Sequence, residues 1–291
     1  MPYARADGVE IFYDEAGDAG DPAVVLIAGG GAQLIAWHDD LVALLVAEGL
    51  RVVRIDNRDT GFSQRFGGPE DLDGGYDLSD MGADVVRVLD ALGVPAGHLV
   101  GHSMGAMIAQ VVAIEQPDRV RSLGLLSSIP GRDPRYILHG DREELLRVPP
   151  RRTREEVVAA AADAFRPSGP QRYRRQEDWM RWAAGEAYDR GYAPEGYVRQ
   201  WAALRRAPER LDRLRGVTVP TLVLHGRDDD VLHWCAAVDT AVAIPGSELQ
   251  IHPDMGHLVP WELWPDVVAA VARTVRRGEE LAVGGQGSGA R

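Results

Sequence analysis

Short apolar runs and helical stripes alternate along the chain. The runs are Ala23–Ala28, Arg51–Asp56, His98–Gly101, Ser122–Ser127, Thr221–His225 and Glu248–His252, each bounded by turn residues. Several are apolar at consecutive positions, as in strands buried on both faces of a parallel sheet. The clearest helical stripe is Leu78, Met81, Val85, Val88, Leu89 and Leu92, at spacings that share one helix face. Ser79 is its expected N-cap and Gly93 its stop. Further helices are expected over Trp37–Ala47, Met104–Gln116, His233–Val242 and Trp261–Arg276. At the start, Asp7-Gly8 precedes Val9-Glu-Ile-Phe-Tyr13, which reads as a hairpin. Strand–helix alternation of this kind predicts a mostly parallel, doubly wound α/β sheet with an N-terminal hairpin.

The alternation breaks between Gly131 and Arg215. That stretch is helix-prone and is cut by Pro149-Pro150, Pro167, Pro170 and Pro194. It holds nine of the chain's aromatics: Tyr136, Phe165, Tyr173, Trp179, Trp182, Tyr188, Tyr192, Tyr197 and Trp201. We read residues 131–215 as a helical cap, or lid, on a core formed by 1–130 and 216–277. The Gly-rich residues 278–291 read as a flexible tail. A plain helical packing domain whose aromatics are core is the alternative for 131–215.

Composition narrows the function. The net charge of −12 disfavours nucleic acid and anionic membrane surfaces as partners. No apolar run is long enough to span a membrane. The first residues have no apolar stretch of the kind a signal peptide needs. The single cysteine, Cys235, excludes an internal disulfide and a cysteine zinc cluster, and it fits a reducing, cytoplasmic setting. The acids dominate outside the cap, whereas residues 131–215 carry 19 Arg against 14 Asp and Glu. There is no Lys, which removes Schiff-base chemistry.

The chemistry concentrates at Gly101-His-Ser-Met-Gly105. This G-x-S-x-G follows an apolar strand and opens an apolar helix, the context of a nucleophile elbow. Ser103 needs a base, and the base needs an orienting acid. His257, in a Gly-containing loop between the last strand and last helix, is our base. His233 and His252 also follow the acidic cluster, and His252 reads as structural. The acid falls in Asp228-Asp229-Asp230 after the penultimate strand. Asp229 is our choice, with Asp228 and Asp230 as turn residues. An oxyanion needs two preorganised N–H donors. One is the amide of Met104. The other comes from Gly29-Gly30-Gly31, where Gly30 is our choice and Gly31 the runner-up. Gly31, Trp179, Trp182 and Trp261 are candidate pocket residues, and the two cap tryptophans would suit a flat aromatic substrate. No cofactor or metal is required, and no metal-ligand spacing is present.

The glycine loop, Gly101–Gly105, Asp229 and His257 together resemble the α/β-hydrolase family, from about Val9 to Arg277. Gly29-Gly30, Trp37 and Asp56-Asn-Arg-Asp-Thr-Gly-Phe-Ser63 are similar to its aclacinomycin methylesterase subgroup, which acts on anthracycline polyketides. The resemblance implies a Ser103–Asp229–His257 triad, a Gly30–Met104 oxyanion hole and a methyl ester substrate. The 56–63 segment also has a structural reading, in which Asp56 and Arg58 fix a turn behind the glycine loop. The resemblance constrains the cap only loosely. The expected function is hydrolysis of a carboxylic ester or lactone through an acyl-enzyme on Ser103, with a small-molecule ester as partner. The alternatives are a serine-dependent C–C bond hydrolase and a non-hydrolytic cyclase or ligand-binding protein.

Overall fold

A computed structural model describes residues 2–138, 153–161, 172–173 and 176–287. Phe165, Pro149, Pro150, Pro167, Pro170 and the final residues 288–291 lie outside these. The described residues form one eight-stranded sheet in the order β1-β2-β4-β3-β5-β6-β7-β8. β1 (Tyr3–Ala6) and β2 (Val9–Ala16) are the hairpin, joined by Asp7 and Gly8, both at positive φ. That is the turn geometry whose twist matches a hairpin. β2 runs antiparallel to β4 (Arg51–Ile55). β3 (Ala23–Ile27), β5 (Gly97–His102), β6 (Val120–Leu126), β7 (Thr221–Gly226) and β8 (Glu248–His252) pair in parallel with β4 and with one another.

Both sheet faces are covered, which is why the strands are apolar at consecutive positions. Val24, Leu26, Val52 and Leu224 pack under α1 (Asp39–Ala47) and α9 (Trp264–Gly287). Val25, Ile27, Val53 and Leu99 pack under α2 (Leu78–Ala91), α3 (Met104–Glu115) and α8 (Cys235–Ala243). Among the described residues, α4 (Arg154–Ala161), α5 (Glu177–Asp189), α6 (Pro194–Arg206) and the short α7 (Leu211–Leu214) lie between β6 and β7.

Two sequence expectations need correction. The N-cap of α2 is Asp77, not Ser79. The Asp77 carboxylate accepts from the amides of Ser79 and Asp80, and Asp80 reciprocates to Asp77 N–H, a capping box. The expected flexible tail is helical as far as Gly287. Glu279 holds it there, pairing with His98 at 3.1 Å and Arg121 at 3.4 Å. No described helix is long and apolar enough to cross a membrane.

Candidate active site

Ser103 sits where β5 turns into α3, at φ 54° and ψ −119°. A side chain rarely adopts this backbone, so the turn must be over-determined by its surroundings. A Cβ at Gly101 would strike the backbone of Gly105 and Ala106, and one at Gly105 would strike that of Ile27 and Ala28. Those collisions are the physical reason for the glycines of G-x-S-x-G. Ser103 N–H donates to Leu126 O at 2.9 Å, and Ser128 Oγ donates to Ser103 O at 2.8 Å. The elbow is thereby tied to the end of β6. Met104 opens α3, so its amide belongs to the first turn, where N–H groups have no intrahelical acceptor.

Asp229 lies in the loop after β7, and His257 in the loop between β8 and α9. His257 Nδ1–H donates to Asp229 Oδ2 at 2.8 Å, with both side chains nearly fully buried. The other carboxylate oxygen accepts from the amides of Val231 (2.8 Å) and Leu232 (2.9 Å). A second imidazole shares the acid. His225 Nε2 stands 3.0 Å from Asp229 Oδ2 and 3.1 Å from Leu232 O. A carbonyl accepts only from N–H, so Nε2 carries the His225 proton and Nδ1 is left without a partner. Burial by itself raises the Asp229 pKa, but the hydrogen bonds from His225 and His257 outweigh it and hold the carboxyl well below the usual range. An ionised Asp229 keeps the His257 proton on Nδ1 and leaves Nε2 as a base.

Asp228 is exposed and stands 3.7 Å from Arg227 Nε. His252, at the C-terminal end of β8 opposite Gly226, has its Nε2 3.2 Å from Gln250 Oε1. His102, beside the nucleophile, has a role that its local sequence does not announce. Its Nε2–H donates to the backbone carbonyl of His257 at 2.8 Å, fastening the base loop to the nucleophile strand. Burial, and then the neighbouring His257, push the His102 pKa down to about 4.

Ser103 and His257 open onto a cavity of about 760 Å³ with mostly apolar walls. Gly30, Gly31, Trp179 and Trp261 line it. Trp182 does not: it is 52% exposed, on another face of α5. Trp179, from α5, lies 5.4 Å from the His38 ring, which also meets Trp261 (4.9 Å) and Trp264 (5.2 Å). Both glycines lie against Tyr197 of α6. Gly31 has φ +69°, and a Cβ there would come within 3.0 Å of the Tyr197 ring. Gly31 N–H donates to Gln200 Oε1 at 2.7 Å, so it is already engaged. Gly30 lines the cavity beside it.

Residues 56–63 form a strut between core and cap. Asp56 accepts from the amides of Leu34 (2.7 Å) and Phe62 (3.0 Å) and pairs with Arg190 at 2.6 Å. Arg58 forms a buried pair with Asp84 of α2 at 2.6 Å. Asp59 forms another with Arg199 of α6 at 2.7 Å. The turn expected behind the glycine loop is present, and Asp56 and Asp59 also bind the two cap helices. The arginine partners lie more than 100 residues away in sequence, beyond any local signal.

Comparison with known proteins agrees with this geometry. The profile of the alpha/beta hydrolase fold matches residues 22–262. The chain belongs to that family. This α/β-hydrolase is 32% identical over 260 residues to RutD of Variovorax paradoxus, a relative named for carbamate hydrolysis, covering 85% of this chain and 89% of the relative. It is 29% identical to the rhodomycin D methylesterase DnrP of Streptomyces peucetius, covering 93% and 96%. The enol-lactonase of Burkholderia xenovorans LB400 superposes with a TM-score of 0.75 at 24% identity, over 94% of this chain and 100% of that one, a likeness of fold.

Proposed function

We propose that this α/β-hydrolase cleaves carboxylic esters, lactones included, through an acyl-enzyme on Ser103. The observation that carries the reading is the buried Asp229–His257 hydrogen bond of 2.8 Å at the mouth of a cavity shared with a strained Ser103. In this reading His257 Nε2 takes the Ser103 proton as Oγ attacks the ester carbonyl. The resulting oxyanion is held by the amides of Gly30 and Met104, and the α3 N-terminus favours its charge. His257 returns the proton to the departing alcohol. Water, deprotonated by the same imidazole, then releases the acid and restores Ser103. Asp229 stays ionised and stabilises the imidazolium.

The relative named as a methylesterase supports including methyl esters in the substrate range. The size of the cavity and its tryptophans support bulky aryl esters. The test is intact mass after treatment with a fluorophosphonate, on wild type and Ser103→Ala in parallel. One adduct on wild type, absent from the variant, supports the reading, and a panel of aryl and methyl esters then ranks substrates. No adduct on wild type overturns it and favours a binding or cyclising protein on this fold.

A further inference from the structure

Arg210, just ahead of α7, lines the cavity, and among the described residues no acid forms an ion pair with it. It is 2% exposed. Its Nε–H donates to Gln110 Oε1 (3.0 Å), Nη1–H to Pro208 O (3.2 Å) and Nη2–H to Ile129 O (3.2 Å). All three acceptors are neutral, and they engage three of the five guanidinium N–H donors. Glu209, its chain neighbour, turns its carboxylate to the backbone N–H of Arg132 at 2.6 Å. Burial pushes the Arg210 pKa down to about 10; the Glu209 charge opposes that fall and the Arg213 charge adds to it. Tying three carbonyl oxygens together needs donors but not a cation. A buried cation without a counter-ion is costly, so the charge calls for a partner that arrives with the substrate.

The other two arginines of the lining carry the same sign. Among the described residues, Arg132, Arg205 and Arg210 line the cavity, and no Asp or Glu does. Asp229 stands behind His257, outside the lining. Arg210 is also placed away from the chemistry. Its partner Gln110 lies seven residues beyond Ser103 on α3, roughly 10 Å at the helical rise of about 1.5 Å per residue. Met107 and Ile129 give that stretch apolar walls.

We propose that the ester taken by this site carries a carboxylate at the end remote from the scissile bond, with Arg210 as its counter-charge. This rests on the hydrolase reading above and adds the charge of the substrate to it. Two probe series test it. Mono-4-nitrophenyl esters of linear dicarboxylic acids, set against 4-nitrophenyl alkanoates of equal length, place the carboxylate on the acyl side. Acetate esters of ω-hydroxy acids, set against alkyl acetates, place it on the alcohol side. Wild type will favour the carboxylate-bearing member of at least one series by roughly tenfold to hundredfold in kcat/KM, the range of a hydrogen bond to a charged group. Arg210→Gln will bring that ratio close to one, and Arg210→Lys will restore part of it. General damage to the fold lowers both members together and leaves the ratio alone. Equal rates on both members of both series overturn the proposal while the hydrolase reading stands. If no ester turns over, that reading fails instead. Calorimetric binding of the dicarboxylic acids and matched alkanoic acids to Ser103→Ala then tests the subsite without turnover. Tighter binding of the diacid supports it, and equal binding overturns it. The wild-type ratios and this binding comparison stand even if Arg210→Gln does not fold.

Discussion

Cutting the Arg199–Asp59 ion pair by Arg199→Met will destabilise the fold by about 3–5 kcal/mol, the usual consequence of leaving one partner of a buried pair alone. Both side chains are fully buried, and Nη2 stands 2.7 Å from Asp59 Oδ1. Without the guanidinium, the Asp59 carboxylate keeps, among the described residues, Tyr76 Oη–H (2.8 Å) and Phe66 N–H (3.0 Å). The carbonyls of Gly68 and Asp71, which Nη1 also holds, lose that donor. A loss of this size is a large share of the roughly 5–15 kcal/mol that stabilises an ordinary domain. Asp59→Asn will be similarly harmful, because it leaves the arginine charge uncompensated. The double variant Arg199→Met/Asp59→Asn removes both charges, so its loss will fall short of the sum of the singles by about 1–3 kcal/mol. Equilibrium urea denaturation of the four proteins at neutral pH measures this, provided the slope against denaturant stays constant. A single-variant loss under about 1 kcal/mol, or strict additivity, would refute the claim that this pair anchors α6. A kinetic consequence accompanies it. Tyr197 and Gln200 on α6 position Gly30 and Gly31, so Arg199→Met will lower kcat on any ester even where the variant remains folded.

Further outcomes can be checked separately. Gly31→Ala forces a Cβ against Tyr197 at φ +69° and will destabilise by about 1–3 kcal/mol while reducing kcat, as thermal denaturation and ester kinetics will show. Burial depresses the pKa of His102 and of His98 to about 4, from 6.5, with Glu279 partly opposing the fall at His98. The unfolded chain therefore binds these protons more tightly than the folded one. Their contribution is complete above pH 6.5 and is lost as the pH falls toward 4. The urea midpoint will drop across that window, and His98→Asn will flatten part of the drop. Trp179→Ala will raise KM for bulky aryl esters more than for acetyl esters, whereas Trp182→Ala, on the exposed face, will change neither. Equal effects at the two positions would contradict the assignment of α5 faces. His225→Phe removes one donor from Asp229 and will lower kcat with little change in KM. Unaltered kcat would show that His257 alone suffices to orient the acid.

The sheet was legible because its strands lie between two helical layers and are apolar on consecutive residues. Ser103 was legible because two glycines and a strand–helix junction leave little else for Gly101–Gly105 to be. Asp229 and His257 followed from their places after the strands now numbered β7 and β8. The contacts that complete the site were not legible, because they are long-range. Nothing near His102 announces its bond to the carbonyl of His257, and nothing near Arg199 points to Asp59. Trp179 and Trp182 looked equivalent, yet only one faces the cavity. The small residues Ala183, Ala184 and Ala187 line the cavity beside Trp179 and are the local mark of that face. The tail misled through its glycines. Composition favoured disorder there, whereas Gly278 packs against Arg121 and His98 and Glu279 adds its ion pairs.

The strut at residues 56–63 has a consequence for how such enzymes change substrates. A cap joined to its core only at two chain crossings can be exchanged like a cartridge. Here α5 is fastened to Asp56 through Arg190, α6 to Asp59 through Arg199, and Gln200 of α6 reaches both the Arg58 carbonyl and the Gly31 amide. A foreign cap grafted between β6 and β7 would leave two buried carboxylates bare and the glycine loop at Gly30-Gly31 unsupported. Recombination that respects this architecture has to move a loop from the first third of the chain together with helices from the second half. New specificities in this chain are thus reached more readily by substituting side chains within the existing cap than by replacing it.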